Sequence, residues 1–324
     1  MKTIIGTDIS IAQQLLDQGY PVAIPTETVY GLAANALNND AVLKIFEAKN
    51  RPQFNPLIVH SPSWDAAQEF VQKVPAIAHS LAAKFCPGPL TFLLEKKNNI
   101  PDLVTAGSHL VAIRIPNHPV ALKLLSSLTF PLAAPSANQF GYISPTTAQH
   151  VLDSLEGKIP YILNGGNTSV GLESTIIGFD DQENVIVHRV GGISIEDIEQ
   201  HTGKTARWAT KHEENKPQTS GQLKSHYAPN TPLIIGEIST LHKVYLGKKI
   251  GLISLANTYP ELHFEERMLL SPSNNLHEAA QNLFSFLREI DQMQLDIILV
   301  ESLPNEGLGR AINDRLQRAQ FIFK

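Results

Sequence analysis

The sequence predicts an α/β protein of two domains, a larger one built on a mixed sheet and a smaller one built on a parallel sheet. Three observations carry that reading. The chain has 324 residues, more than a single core usually organises. Short apolar runs alternate along it with segments of helical periodicity. Between Lys204 and Asn230 the pattern fades into Lys, His, Glu, Asn, Gln, Ser and Pro, the composition of a linker. The expected organisation is one domain over residues 1–203, a linker over 204–230 and a second domain over 231–324.

The elements follow in order. A helix over residues 9–18 leads into a buried strand at 21–25. Asn39 or Asp40 can cap a helix running to Lys49, with Val42, Ile45 and Phe46 on one face. Strands read at 57–60, 90–95, 110–115, 130–134, 161–163, 175–179 and 185–189. Several connections between them are too short for parallel crossovers, so antiparallel hairpins are expected. Ser194-Ile195-Glu196-Asp197 resembles a capping box, opening a helix that ends at Gly203. Beyond the linker, strands at 233–236, 250–255 and 296–301 alternate with a helix over 276–291. In that helix Ala280, Leu283, Phe284, Leu287 and Ile290 form one apolar stripe, as a parallel α/β domain requires. The linker is long for a spacer, and it contains His226-Tyr227, so a lid function is expected of it.

Composition excludes several classes. Apolar residues make up 43% and charged residues 18%, with a net charge of −5. That balance suits two globular cores and argues against a basic coat for nucleic acid, while leaving room for a locally basic pocket. Cys86 is the single cysteine, so neither an internal disulfide nor a cysteine-based zinc site can form, as suits a reducing cytosol. The start of the chain lacks a signal peptide's apolar stretch, and no run of about 18 apolar residues exists to span a membrane. A soluble, cytoplasmic protein with no membrane partner is the expectation.

Standard catalytic signatures fail. Gly166-Asn167-Thr168-Ser169-Val170-Gly171 has a P-loop's glycine spacing, but Leu172-Glu173 stands where Lys-Ser/Thr is required. Neither HExxH nor G-x-S-x-G occurs. Polar residues instead gather at strand and helix ends. Pro25-Thr26-Glu27-Thr28-Val29-Tyr30-Gly31-Leu32 follows a buried strand, where α/β sheets bind ligands, although a Thr-rich turn would read the same way. Lys49 and Arg51, with Asn55 close behind, fit a polyphosphate site or equally a solvated charged turn. Arg114 lies inside an apolar strand and needs a partner, either a substrate carboxylate or a structural Asp or Glu. Small polar residues at 133–138 allow backbone to approach a ligand. Ser144-Pro145-Thr146 reads as the N-cap and first turn of a helix, which is also a phosphate site. Arg189, ending a strand before Gly191-Gly192, is a further cation that can point at the same mouth.

As a set, these segments resemble the YrdC-like family, in particular its two-domain L-threonylcarbamoyladenylate synthases. The matching stretches are Pro25–Leu32, 49–52, 56–60, 87–91, 105–107, 114–118, 135–138, 144–146, 171–175 and 189–192, which cover nearly all of residues 10–200. Segments 225–229 and 307–315 resemble the family's linker and C-terminal domain, whereas 220–225 departs from the usual Ser-Pro-Gly-Met pattern. The resemblance implies a twisted, deeply concave catalytic domain and a smaller Rossmann-like parallel α/β domain. It further implies that L-threonine, bicarbonate and ATP, with Mg²⁺ on the phosphates, are converted to L-threonylcarbamoyladenylate and pyrophosphate. By the same resemblance Thr28, His60, Arg114 and Ser174, with the backbone at Ala134, would hold threonine. Lys49, Arg51, Asn55, Ser136, Asn138, Ser144, Arg189 and the backbone at Leu110 would hold ATP. Tyr227 would reach back from the linker, and Lys49 and Arg51 would supply the catalytic charge. A downstream threonylcarbamoyl transferase would receive the intermediate for tRNA modification, and direct contact with tRNA stays open. Three rivals stand beside this reading: an RNA-binding protein of the same fold; a carbamoyl-transfer domain of hydrogenase maturation, whose zinc fingers one cysteine cannot build; and a structural or regulatory role for the C-terminal domain, with catalysis only upstream.

Overall fold

The computed structural model describes residues 1–209, 219 and 227–320. Strands β1 (Ile4–Gly6), β2 (Val22–Ile24), β3 (Gly31–Asn35), β4 (Ile58–His60), β5 (Leu90–Glu95) and β6 (Leu110–Arg114) belong to one sheet. The same sheet takes in β7 (Leu132–Ala133), β8 (Tyr161–Leu163), β9 (Thr175–Phe179), β10 (Val185–Arg189) and β11 (Arg207–Trp208). Its order is β1-β8-β2-β3-β7-β4-β6-β5-β9-β10-β11. Parallel and antiparallel pairs mix: β4 with β6 and β5 with β9 are parallel, while β2–β3, β5–β6 and β9–β10 are antiparallel. A second sheet, β12 (Leu233–Ile235), β13 (Ile250–Ser254), β14 (Glu266–Leu269) and β15 (Ile297–Val300), is parallel throughout in the order β12-β15-β13-β14. No helix among the described residues is long and apolar enough to cross a membrane.

Local chemistry accounts for the helix ends. The helix Asn39–Lys49 is capped by Asn38, whose side chain accepts from the amides of Asp40 and Ala41, so the cap lies one residue before Asn39. The capping oxygen must sit outside the first helical residue to meet the orphan amides. Asn50 closes that helix in the left-handed conformation, at φ 51°. Ser194 caps the helix Ile195–Thr202 through the Asp197 amide, and Gly203 ends it at φ 65°. Ser144 does not cap a helix. The helix Ala148–Leu155 starts later, with Thr147 accepting from the His150 amide. The Pro145 carbonyl accepts from the Tyr30 amide at 2.9 Å, tying this segment to the 25–32 turn.

Several elements were not legible from periodicity. β3 is made of Gly, Leu, Ala, Ala and Asn, mostly residues of low strand preference, and pairing with β2 and β7 decides its state. Helices Ala76–Phe85, Pro119–Ser127, Ile238–Val244 and Gly307–Ala319 likewise appear only in the structure.

The two sheets share one continuous apolar core. It joins Val59, Phe92 and Ile113 around the first sheet to Ile253, Leu283, Phe284 and Leu287 of the second half. Arg288, on helix Leu276–Asp291, is buried and donates to the Ile143 carbonyl at 2.5 Å and to Ser154 Oγ at 3.2 Å. The halves also meet at Gly171, where a Cβ would lie 2.5 Å from the Ala280 carbonyl oxygen and 2.5 Å from Gln281 Cα, on a backbone at φ 76°. Gly171→Ala should therefore lose more stability than Gly203→Ala, which has positive φ but no atom within 4 Å. The strain alone costs on the order of 1–3 kcal/mol. Equal losses for the two variants in thermal unfolding would show that the Gly171 contact contributes nothing.

Candidate active site

Strand alternation decides what faces the pocket. Ile58 lies opposite Ala112 and His60 opposite Arg114 on the parallel β4–β6 pair. Thr91 and Leu93 of β5 lie opposite Arg114 and Ala112. Residues two apart share a face, so Ile58, Leu93, Ala112 and Ile176 form an apolar floor, and His60, Thr91 and Arg114 continue it as a polar end. Val59, Phe92, Val111 and Ile113, on the opposite face, belong to the main core. The pocket above this floor is lined by Thr26, Val29, Gly31, Arg51, Ile58, His60, Arg114, Ala134, Pro135, Ser136, Glu173, Ser174, Arg189 and Tyr227.

Arg114 has the structural partner that a buried strand arginine requires: its Nη2 is 2.7 Å from Glu27 Oε1, and both side chains are buried. It nevertheless lines the pocket, and a guanidinium carries five donors, so this pairing leaves capacity for a second carboxylate. Glu27 Oε2 accepts no hydrogen bond. Beside them the His60 ring places Nδ1 3.2 Å from the Ile58 carbonyl oxygen. Burial, then the Arg114 charge, holds its pKa down to about 3, so the imidazole is neutral at neutral pH. Thr28 does not line the pocket. Its hydroxyl is 2.8 Å from that of Thr26, which does.

Two more cations, Arg51 and Arg189, line the same pocket. Arg51 donates through Nε to the Asn55 carbonyl at 3.3 Å and through Nη2 to the Pro56 carbonyl at 3.1 Å. Arg189 donates from Nε and Nη2 to the Ser174 carbonyl at 3.1 and 2.9 Å, and from Nη2 to Ser174 Oγ at 3.1 Å. Burial lowers both guanidinium pKa values from their ordinary range. Lys49 points inward but does not line the pocket. Its Nζ donates to the Ser136 carbonyl at 2.6 Å and also to the Asn138 carbonyl. Burial, then the neighbouring Arg51, pushes its ammonium well below the usual lysine range. Lys49 thus holds the 136–138 segment against the pocket, and Asn138 reinforces it by donating to the carbonyls of Gln139 and Tyr142 at 2.8 and 2.7 Å.

Asn55 is fully buried and neither of its side-chain polar atoms has a hydrogen-bond partner. Ser144 donates to Glu173 Oε1 at 2.6 Å, so it stands behind the pocket wall. Leu110 is at the far end of β6 from Arg114, roughly 13 Å away at the rise of a strand. It packs against the apolar floor outside the lining. Tyr227 is fully buried in the lining, and its ring also stacks on Phe284 at 5.5 Å. Residues 210–218 and 220–226, the rest of the expected lid with His226, lie outside the described residues.

Sequence reasoning missed two acids, Glu27 and Glu173, which form ion pairs with Arg114 and with Arg315. It also missed Arg315 itself, whose signal was a charge on the face defined by Leu308, Ala311, Ile312 and Leu316. The Lys49 tie is testable. Lys49→Met preserves most of the stem and strips donors from two buried carbonyls, so stability in denaturant should fall by about 1–3 kcal/mol. An unchanged unfolding midpoint would leave ligand binding as the ammonium's sole purpose.

Comparison with known proteins bears on the same residues. A family model described as "Telomere recombination" matches residues 14–191. A second, described as the C-terminal domain of threonylcarbamoyl-AMP synthase, matches residues 193–320. The threonylcarbamoyl-AMP synthase of Pyrococcus abyssi is 38% identical over 324 residues, spanning 96% of this chain and 93% of that protein. The threonylcarbamoyl-AMP synthase of Bacillus subtilis is 40% identical over 320 residues, spanning 96% and 92%. The crystal structure of P. abyssi Sua5 complexed with L-threonine superposes with a TM-score of 0.90 at 37% identity, covering 98% of this chain and 97% of that one. The structure of Escherichia coli YciO, at 21% identity and a TM-score of 0.51, shares the fold over 59% of this chain. With matches that run the length of both halves, the chain belongs to the YrdC-like family, in the two-domain form that carries the C-terminal domain of threonylcarbamoyl-AMP synthases.

Proposed function

We propose that this chain is an L-threonylcarbamoyladenylate synthase, converting L-threonine, bicarbonate and ATP to L-threonylcarbamoyladenylate, pyrophosphate and water. The observation that carries the reading is one pocket lined by three buried guanidinium groups, Arg114, Arg51 and Arg189. Such an arrangement suits a small carboxylate and a polyphosphate side by side. Near-full-length relatives named as synthases favour this over an RNA-binding protein of the same fold.

The chemistry needs little beyond positioning and charge. The threonine amine attacks the bicarbonate carbon and water leaves, forming a carbamate. A carbamate oxygen then attacks the α-phosphorus, and pyrophosphate departs. Arg114 receives the threonine carboxylate on the donors that Glu27 leaves unused, and Thr28, Ser174 and the Ala134 backbone complete that half. His60 stays neutral and presents no charge to the amine. Arg51 and Arg189 meet the phosphates, while Lys49, Ser136, Asn138 and Asn55 shape that wall and Ser144 steadies Glu173 behind it. Fixed cations in a site shielded from water stabilise the charge that builds on the departing pyrophosphate.

Mg²⁺ fits as a guest of the nucleotide rather than of the protein. Glu27 and Glu173 are already paired with arginines, and no cluster of three or more metal-ligating side chains occurs among the described residues. On the phosphates it would neutralise charge during transfer. The product is a mixed anhydride that water destroys, so a threonylcarbamoyl transferase acting on tRNA is the expected recipient.

Mass spectrometry with ¹³C-bicarbonate tests the reading: an adenylate carrying the label and the threonine mass must form only when all three substrates are present. ATP cleavage without threonine, or no labelled adenylate, sinks it. Arg114→Ala should raise the KM for threonine roughly ten- to a hundredfold, the scale of a lost charge-assisted hydrogen bond, and change the KM for ATP far less. Equal loss for both substrates would remove Arg114 from the threonine subsite.

A further inference from the structure

Among the described residues Arg315 is the largest side chain with almost no exposure, and it belongs to the second domain, on the helix Gly307–Ala319. Its guanidinium does not stay there. Nε donates to Glu173 Oε2 at 2.9 Å, and Nη2 donates to the Val190 carbonyl, next to Arg189, at 2.9 Å. Nη1 donates to Asp314 at 2.7 Å, and the plane lies over the Tyr227 ring at 5.3 Å. Glu173 and Tyr227 both line the pocket. The other Glu173 oxygen accepts from Ser144 at 2.6 Å. One planar fork therefore touches three parts of the nucleotide wall at once.

Stability alone does not explain the pair. A buried ion pair is often no better than well-packed apolar residues of the same volume. Charge gives the better reason. A bare Glu173 carboxylate in the wall of a polyphosphate pocket would repel its ligand. Burial alone would raise the Glu173 pKa, but Arg315, Arg189 and the Ser144 hydroxyl together hold it below its ordinary value. The carboxylate is thus ionised at neutral pH and compensated from the second domain.

We infer that Arg315 is a positioning residue for nucleotide binding, by which the second domain completes the pocket of the first: it neutralises Glu173 and seats Tyr227. This rests on the proposed function for the identity of the nucleotide but not for the presence of a polyphosphate subsite.

The test is calorimetric binding of ATP to the full-length chain, alongside product formation. Arg315→Met, similar in length and uncharged, should weaken ATP about tenfold or more while the KM for threonine moves less than about threefold, since a buried carboxylate that has lost its ion-pair partner now faces the phosphates. Removing Arg315 takes away the largest of the influences that hold the Glu173 pKa down against burial, so the carboxyl protonates more readily and ATP binding by Arg315→Met should recover as pH falls, relative to wild type measured in parallel. Adding Glu173→Gln to Arg315→Met removes the charge and should restore most of the affinity. Arg315→Lys keeps a point charge but not the fork, and should fold with an intermediate loss for ATP. If Arg315→Met does not fold, the lysine variant carries the test: unchanged ATP binding in it overturns the inference. So does equal loss of both substrates in Arg315→Met with no pH recovery and no rescue by Glu173→Gln. A wild type that binds ATP but forms no threonylcarbamoyl adenylate would reject the proposed function and leave this inference standing.

Discussion

A pocket for two anions must keep its cations out of water and still charged, and the rest of this structure is arranged around that constraint. Arg51, Arg114 and Arg189 line it and are all buried. Each is held by protein oxygen: carbonyls for Arg51, a carboxylate for Arg114, and the Ser174 carbonyl and hydroxyl for Arg189. Without such partners, desolvation would exceed anything the fold could return. The pocket is thus preorganised by the chain before a ligand arrives, so binding orders few side chains.

The constraint explains why the site draws on so many short segments. Carbonyls at Asn55, Pro56, Ser136, Asn138 and Ser174 serve as acceptors because they lie in turns and strand ends, where the sheet ladder does not claim them. The mixed sheet gathers these turns. β4 and β6 run side by side so that His60 and Arg114 end together, and β7 is antiparallel to β4, bringing Ala134 over Ile58. The second sheet contributes no strand to the pocket. It contributes Arg315 and a bed for Tyr227 on Phe284, and its helix Leu276–Asp291 buries Arg288 against the carbonyls of Ile143 and Ser144.

The strands with the strongest apolar runs were legible from sequence to the residue: β5, β8, β9 and β10 fall where their patterns begin and end. So was the alternation that sends Arg114 to the face opposite Val111 and Ile113. Eight of the expected site residues line one pocket: Arg51, His60, Arg114, Ala134, Ser136, Ser174, Arg189 and Tyr227. Lys49, Asn55, Asn138 and Ser144 stand directly behind them, whereas Leu110 is displaced to the far end of its strand.

By itself the sequence determined the periodicities, the caps at Ser194 and Gly203, and the presence of cations at strand and helix ends. These are properties of neighbours along the chain, set by side-chain spacing and backbone preference within a few residues. Only the tertiary structure decided who partners whom. That Arg114 meets Glu27, that Ser144 serves Glu173 instead of a helix, and that Arg315 crosses from the second domain are contacts spanning 87, 29 and 142 positions. No local pattern encodes them, because a buried charge states only that it needs a partner, and burial of the whole chain selects which one it receives.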